Sequence, residues 1–192
     1  VTPVHDIAVT ERDVVIGTHG RAFYIMDNVA PLRQLNNEVR TAALHLFKPE
    51  PARRGLDTNV SFDYSIKDAA QRVTIEVLDS KSQTIKTFNG VPEPADKKPE
   101  APPSADDFRR PKDPKPAVNP GTHRLNWDMR YPGATEFPGL IMWAANSRGP
   151  LAAPGSYTVR LTVDGATLSQ PFVIKREETL LKDITDADLQ AQ

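Results

Sequence analysis

Tyr157-Thr158-Val159-Arg160-Leu161-Thr162-Val163-Asp164-Gly165 is the stretch that decides the fold class. Tyr157, Val159, Leu161 and Val163 alternate with Thr158, Arg160, Thr162 and Asp164, the period of a strand with one buried face. Asp164-Gly165 is a two-residue hairpin signal, and Phe172-Val173-Ile174 supplies the returning strand. The same alternation recurs upstream. Val60, Phe62, Tyr64 and Ile66 interleave with Ser61, Asp63, Ser65 and Lys67; Val73, Ile75 and Val77 with Thr74 and Glu76; Leu125, Trp127 and Met129 with Arg124, Asn126 and Asp128. Asp79 to Gln83 is expected to turn a hairpin into Ile85-Lys86-Thr87-Phe88. Short antiparallel strands in this number predict an all-β fold, an immunoglobulin-like (fibronectin III-like) sandwich over residues 53–177.

Outward from this segment, residues 1–52 also predict short strands: Val4 to Val9, Val14-Val15-Ile16, Ala22 to Met26, and Leu44 to Phe47. Pro31, Leu32 and Leu35 suggest one helical turn between them. So few strands form a single sheet, and a sheet must cover its apolar face with something. The expectation is a partner, or further repeats, to cover it. The domain boundary is expected between Pro49 and Leu56.

Residues 91–120 hold half of the 18 prolines, and only Val91, Phe108 and Val118 are sizeable hydrophobes. That composition predicts a disordered loop inserted between strands. Over 178–192 the expectation is the start of a helix, because Thr185 lies three residues before Asp188 as in a capping box. A first residue Val1 and a helix start so near Gln192 are both expected marks of a longer parent chain.

The 192 residues carry 24 basic and 25 acidic side chains, a formal net charge of -1. Such a balance gives no electrostatic footprint for nucleic acid. No run reaches the ~20 apolar residues of a membrane helix. With Cys 0 there is no disulfide framework and no thiolate metal site.

Val15-Ile16-Gly17-Thr18-His19-Gly20-Arg21-Ala22-Phe23-Tyr24-Ile25-Met26-Asp27-Asn28, with Pro31-Leu32-Arg33-Gln34-Leu35, resembles the closing blade of bacterial sortilin-like β-propeller proteins. These proteins carry BNR-type repeats and are often labelled glycosyl hydrolases. Leu46-Phe47-Lys48-Pro49-Glu50-Pro51-Ala52 and Leu125-Asn126-Trp127-Asp128-Met129-Arg130-Tyr131-Pro132-Gly133 extend the resemblance. Ala22 stands for the usual Gly and Tyr24 for the usual Trp, and both are expected to be compatible with a strand. The resemblance implies a terminal propeller blade over 1–52, the remaining blades of the same protein as partners, and a secreted, periplasmic or cell-envelope location.

His19 and Arg21 flank Gly20 in a turn, where polar groups can reach a ligand; turn chemistry alone also accounts for the glycines. His5, His19, His45 and His123 lack metal-ligand spacing, so neither a metal nor another cofactor is expected. No catalytic residue stands out. Asp63, Glu76 and Asp128 are expected on solvated strand faces. Trp127 is in phase with the core, while Trp143, in an irregular stretch, is a further binding candidate. Two functional expectations follow: a non-catalytic structural module or one that binds protein, peptide or glycan, and, through the resemblance, part of a glycoside hydrolase whose chemistry lies in other blades.

Overall fold

The computed structural model describes residues 2–93, 113–135 and 147–191. The protein is all-β apart from three short helices among these residues. It divides into two compact units, Val1–Ala42 and Ala43–Gln192.

The first unit is a three-stranded antiparallel sheet in the order β1 (Val4–Val9), β2 (Val14–Thr18), β3 (Phe23–Met26). Thr10 Oγ1 accepts from the Arg12 and Asp13 N–H groups at 3.2 and 2.9 Å and so closes the first turn. β3 begins one residue later than the strand reading, because Ala22 has φ 65. That left-handed conformation is not compatible with an extended strand, and it explains why Gly suits this position. Helix α1 (Ala30–Gln34) has Pro in its first turn, where the missing N–H costs nothing. Helix α2 (Asn37–Thr41) was not foreseen; the Asn36 side chain caps it by accepting from Val39 N–H at 2.8 Å.

The second unit has two sheets over one core. One has the order β5 (Ala52–Arg54), β11 (Ala166–Arg176), β10 (Gly155–Val163), β7 (Val73–Leu78), β8 (Thr84–Gly90); the other has β4 (Leu44–Leu46), β6 (Val60–Ile66), β9 (Gly121–Trp127). All pairings are antiparallel except β5 with β11. β4 therefore belongs to this unit, on the N-terminal side of the boundary expected between residues 49 and 56. The Asp164-Gly165 turn has φ 46 and 95, the two positive angles a tight hairpin needs. Asp164 also accepts from the Gln71 and Arg72 N–H groups at 3.0 and 2.8 Å, pinning the turn to the neighbouring connection. Asp79 Oδ1 likewise accepts from Lys81 and Gln83 at 2.8 and 2.9 Å inside the β7–β8 turn.

The alternating residues meet where expected. Phe62 and Trp127 from the smaller sheet pack against Tyr157 and Phe172 from the larger, with ring centroids 5.4 Å apart for Phe62–Phe172 and 6.3 Å for Trp127–Tyr157. Val60, Ile75, Val77, Val159 and Leu161 fill the space around these rings. Burying a set of this size is the main term holding the two sheets together, at roughly 1.5–3 kcal/mol per large side chain. Helix α3 (Asp186–Ala191) opens with the reciprocal pair that its spacing predicts: Asp188 N–H donates to Thr185 Oγ1 and Thr185 N–H to Asp188 Oδ2, at 3.2 and 2.8 Å. The inserted segment expected over 91–120 lies for its larger part, residues 94–112, outside the described residues.

Candidate functional site

His19, Gly20 and Arg21 form the turn between β2 and β3. The antiparallel β1–β2 register places Val4 opposite Thr18 and shifts between Val4 and Asp6, so His5 sits at the irregularity, on the strand end next to His19. Their rings stack with centroids 5.0 Å apart at an interplanar angle of 27°. His19 N–H donates to the Pro3 carbonyl at 3.1 Å, and Thr18 Oγ1 to Ala22 O at 2.8 Å. Gly20 takes φ 76, with open space where a Cβ would stand. His5, His19 and Arg21 are all exposed. The exposed turn thus carries His19 and Arg21, with the His5 ring of β1 stacked on His19, an edge whose residue types suit a polar or anionic group. The His5 contact is a product of strand register, which residue spacing does not reveal. Among the described residues no group of three His, Cys, Asp or Glu side chains could hold a metal ion.

The carboxylates lie elsewhere and apart. Asp63 is 6% exposed, not solvated as the alternation suggested. Arg124 Nε donates to Asp63 Oδ1 at 2.7 Å across the β6–β9 pair. Burial pushes the Asp63 carboxyl up, and Arg124 opposes that shift. Glu76 is bound by Arg160 Nε at 2.8 Å across β7 and β10, a bond that raises the Arg160 guanidinium. Asp63 faces away from the core on the smaller sheet, and Glu76 faces away from it on the larger one. They cannot flank one glycosidic bond, as a pair of hydrolytic carboxylates must. Asp128 is exposed, with Oδ2 4.0 Å from Arg130 Nε.

Trp127 is fully buried, and its Nε1 donates to the Arg130 carbonyl at 2.9 Å; it belongs to the core. Trp143 lies outside the described residues. His45 packs edge-on against Phe47, centroids 4.7 Å apart, and burial lowers its imidazole. His123 Nε2 lies 2.6 Å from Asn119 O.

One polar cluster escaped the sequence reading. Arg54 is 6% exposed, and its Nη1 donates to the Leu151 and Ala152 carbonyls at 3.3 and 3.1 Å. Tyr157 Oη donates to Ala153 O at 2.7 Å, and Arg130 Nη1 to Gly149 O at 2.8 Å. Desolvation lowers the Arg54 guanidinium, and burial lifts the Tyr157 phenol to about 12. Two guanidiniums and a phenol thus gather the carbonyls of the Gly149–Ala153 strap. Nothing in Ala52-Arg53-Arg54, a charged tripeptide, signals a buried edge strand.

No protein-family model and no curated protein matches the chain. Among solved structures it is similar to CopC from Methylosinus trichosporium OB3b, at 16% identity and a TM-score of 0.32, over 70% of this chain and 96% of that one. The resemblance to sortilin-like, BNR-repeat propeller proteins is therefore corrected: none of these comparisons sustains it, and Gly17-Thr18-His19-Gly20-Arg21 is accounted for as a tight turn between two strands. No helix among the described residues is long and apolar enough to cross a membrane.

Proposed function

We propose that this chain is a non-catalytic structural or ligand-binding module of a larger assembly. In this reading the second unit is an immunoglobulin-like sandwich, and the β1–β3 sheet is an inner layer that lies, blade-like, between further β-layers of the assembly. One observation carries the proposal. Strand pairing sets Ile7, Val9, Val14, Ile16, Tyr24 and Met26 on one face of that sheet and Ala8, Val15, Phe23 and Ile25 on the other, with Asp6 and Gly17 at one end of the second face. Both faces are predominantly apolar, and both carry exposed side chains: Val9 66% and Tyr24 55% on one, Phe23 77% and Ile25 63% on the other. A sheet with one face in water alternates apolar and polar residues; a sheet buried on both faces does not. An uncovered patch of this kind marks an interaction surface. The rim of His5, His19 and Arg21 would then present polar groups at the edge of the covered region.

The test uses the whole chain. It should bind an environment-sensitive apolar dye, and Phe23→Ser with Val9→Thr should reduce that binding sharply. Against a panel of glycosides and peptides it should show no turnover. Turnover that disappears in Glu76→Gln or Asp63→Asn, or dye binding unaffected by the two sheet substitutions, would overturn the reading.

A further inference from the structure

We propose that β3 is a self-complementary edge strand through which two copies of this chain pair, edge to edge, about a twofold axis. The inference concerns the edge of the sheet, whereas the proposed function concerns its faces, so either can fail alone.

β3 is the last strand of its sheet, bonded to β2 on one side only. Its four residues are Phe, Tyr, Ile and Met, all exposed. An apolar, uncharged edge strand is a template for pairing with another chain. The phase of its free backbone groups follows from the hairpin. Thr18 N–H donates to Ala22 O at 3.3 Å. Bonded and non-bonded pairs alternate along an antiparallel ladder. Given the register Ile16↔Tyr24 and Val14↔Met26, Tyr24 and Met26 bond to β2. The N–H and C=O groups of Phe23 and Ile25 point outward.

An antiparallel copy must therefore pair through Phe23 and Ile25. Twofold pairing allows this when centred on Phe23, Tyr24 or Ile25. Centred on Phe23, it would set Arg21 against the partner's Ile25. Centred on Ile25, it would set Phe23 against the partner's Asp27. Centred on Tyr24, it sets Phe23 against the partner's Ile25, and Arg21 towards the partner's Asp27, each contact occurring twice. Only this register joins apolar to apolar and basic to acidic. The apolar β3 is thus flanked by a basic residue, Arg21, before it and an acidic one, Asp27, after it, so that the segment is the complement of its own reverse. That self-complementarity is what an isologous interface requires, and it selects a second copy over an unrelated strand.

Sedimentation velocity of the 192-residue chain over a concentration series, with amide exchange at each concentration, tests the pairing. A dimer is expected, with exchange at Phe23 and Ile25 slowing as it forms. Arg21→Asp and Asp27→Arg, each placing like charges together twice, should each weaken the dimer by roughly tenfold or more. Both positions are exposed and outside the strand, and the amide protection of β1–β3 in each variant separates a lost pairing from a loosened sheet. The double variant R21D/D27R should restore the dimer. Three results would overturn the proposal: a monomer at every concentration, an oligomer that R21D leaves unchanged, or a double variant that does not recover.

Discussion

Arg124 binds Asp63 at 2.7 Å on a sheet face where the Asp63 side chain is 8% exposed and the Arg124 side chain 33% exposed. The two ends of the ion pair therefore have unequal stakes. Losing Arg124 removes a close charged partner from a buried carboxylate, which costs up to about 3 kcal/mol. Losing the Asp63 charge leaves a cation that can still reach water. Arg124→Met should accordingly destabilise the second unit by about 1–3 kcal/mol, and Asp63→Asn by clearly less. The pH dependence has a definite sign. Burial raises the Asp63 carboxyl in the fold, so the folded state holds its proton more tightly than the unfolded one. Stability is then greatest below the ordinary carboxylate range and falls as pH rises through the raised value. Arg124→Met enlarges that shift, so its deficit in urea unfolding should shrink as pH is lowered from 7 towards 4.

Ala22, at φ 65, occupies a conformation that L side chains reach only with strain. Ala22→Gly should stabilise the first unit by about 0.5–1 kcal/mol. Gly20→Ala, at φ 76 with no neighbour near its Cβ, should destabilise it by a similar amount through backbone strain alone. Amide exchange across β2 and β3 reads both effects, and opposite signs for the two substitutions are the expected outcome.

Tyr64 and Tyr157 are buried phenols lifted to about 12, in both cases chiefly by desolvation. Their hydroxyls donate to Ala117 O at 2.8 Å and Ala153 O at 2.7 Å. The unfolded chain loses these protons near the ordinary phenol value, while the fold retains them. Stability is whole below pH 10 and is lost between pH 10 and about 12. Each phenol contributes at most about 2–3 kcal/mol to that loss. Alkaline unfolding should coincide with the rise of tyrosinate absorbance from these two residues, and Tyr64→Phe should move the transition to higher pH.

The strands of the second unit were legible because their side chains obey the pleat. Tyr157 to Val163 and Val73 to Val77 alternate, and Asp164-Gly165 names its own turn. What stayed hidden depends on partners distant in the chain. β5 is three residues long and exists because it pairs in parallel with Ile174 to Arg176. Arg54 is buried because the Leu151 and Ala152 carbonyls receive it. Asp63 looked solvated because alternation identifies an outer face but not its exposure; Phe47, whose N–H donates to Asp63 O at 3.0 Å, is itself 2% exposed there. His5 and His19 meet only through the β1–β2 register. Trp143 and most of the proline-rich insert lie outside the described residues.

Gly90 marks where the chain returns from that insert. A Cβ added there would collide with the Pro116 carbonyl oxygen. The segment that passes it is fixed on both sides: Ala70 N–H donates to Val118 O at 2.8 Å, and Lys86 pairs with Asp113 at 2.7 Å. With backbone on one side and strand β8 on the other, neither can yield cheaply. Gly90→Ala should destabilise the second unit by about 1–3 kcal/mol, whereas Lys86→Ala, at a salt bridge whose Asp113 side chain is 61% exposed, should cost under about 1 kcal/mol. Equal effects from the two would show that the segment from Asp113 to Val118 is not held against β8.

The two units should differ in their ability to fold alone. Residues 43–192 contain both sheets and the whole aromatic cluster of Phe62, Trp127, Tyr157 and Phe172. Their core closes on itself, and no buried side-chain polar atom among the described residues lacks a hydrogen-bond partner. That segment should unfold in one cooperative transition followed by tryptophan fluorescence, read in a Trp143→Phe background so that Trp127 alone reports. Residues 1–42 contain a three-stranded sheet whose large side chains are mostly exposed, Phe23 at 77% and Val9 at 66%. Such a sheet buries too little apolar area to offset the ordering of its backbone. As an isolated peptide it should show no cooperative melt and no slow amides. Within the 192-residue chain its amides should exchange faster than those of Val159 and Leu161, which are 0% exposed. Slow, uniform protection across both units in a monomeric chain would mean that the apolar faces of β1–β3 need no cover, and the layer proposed over them would lose its reason.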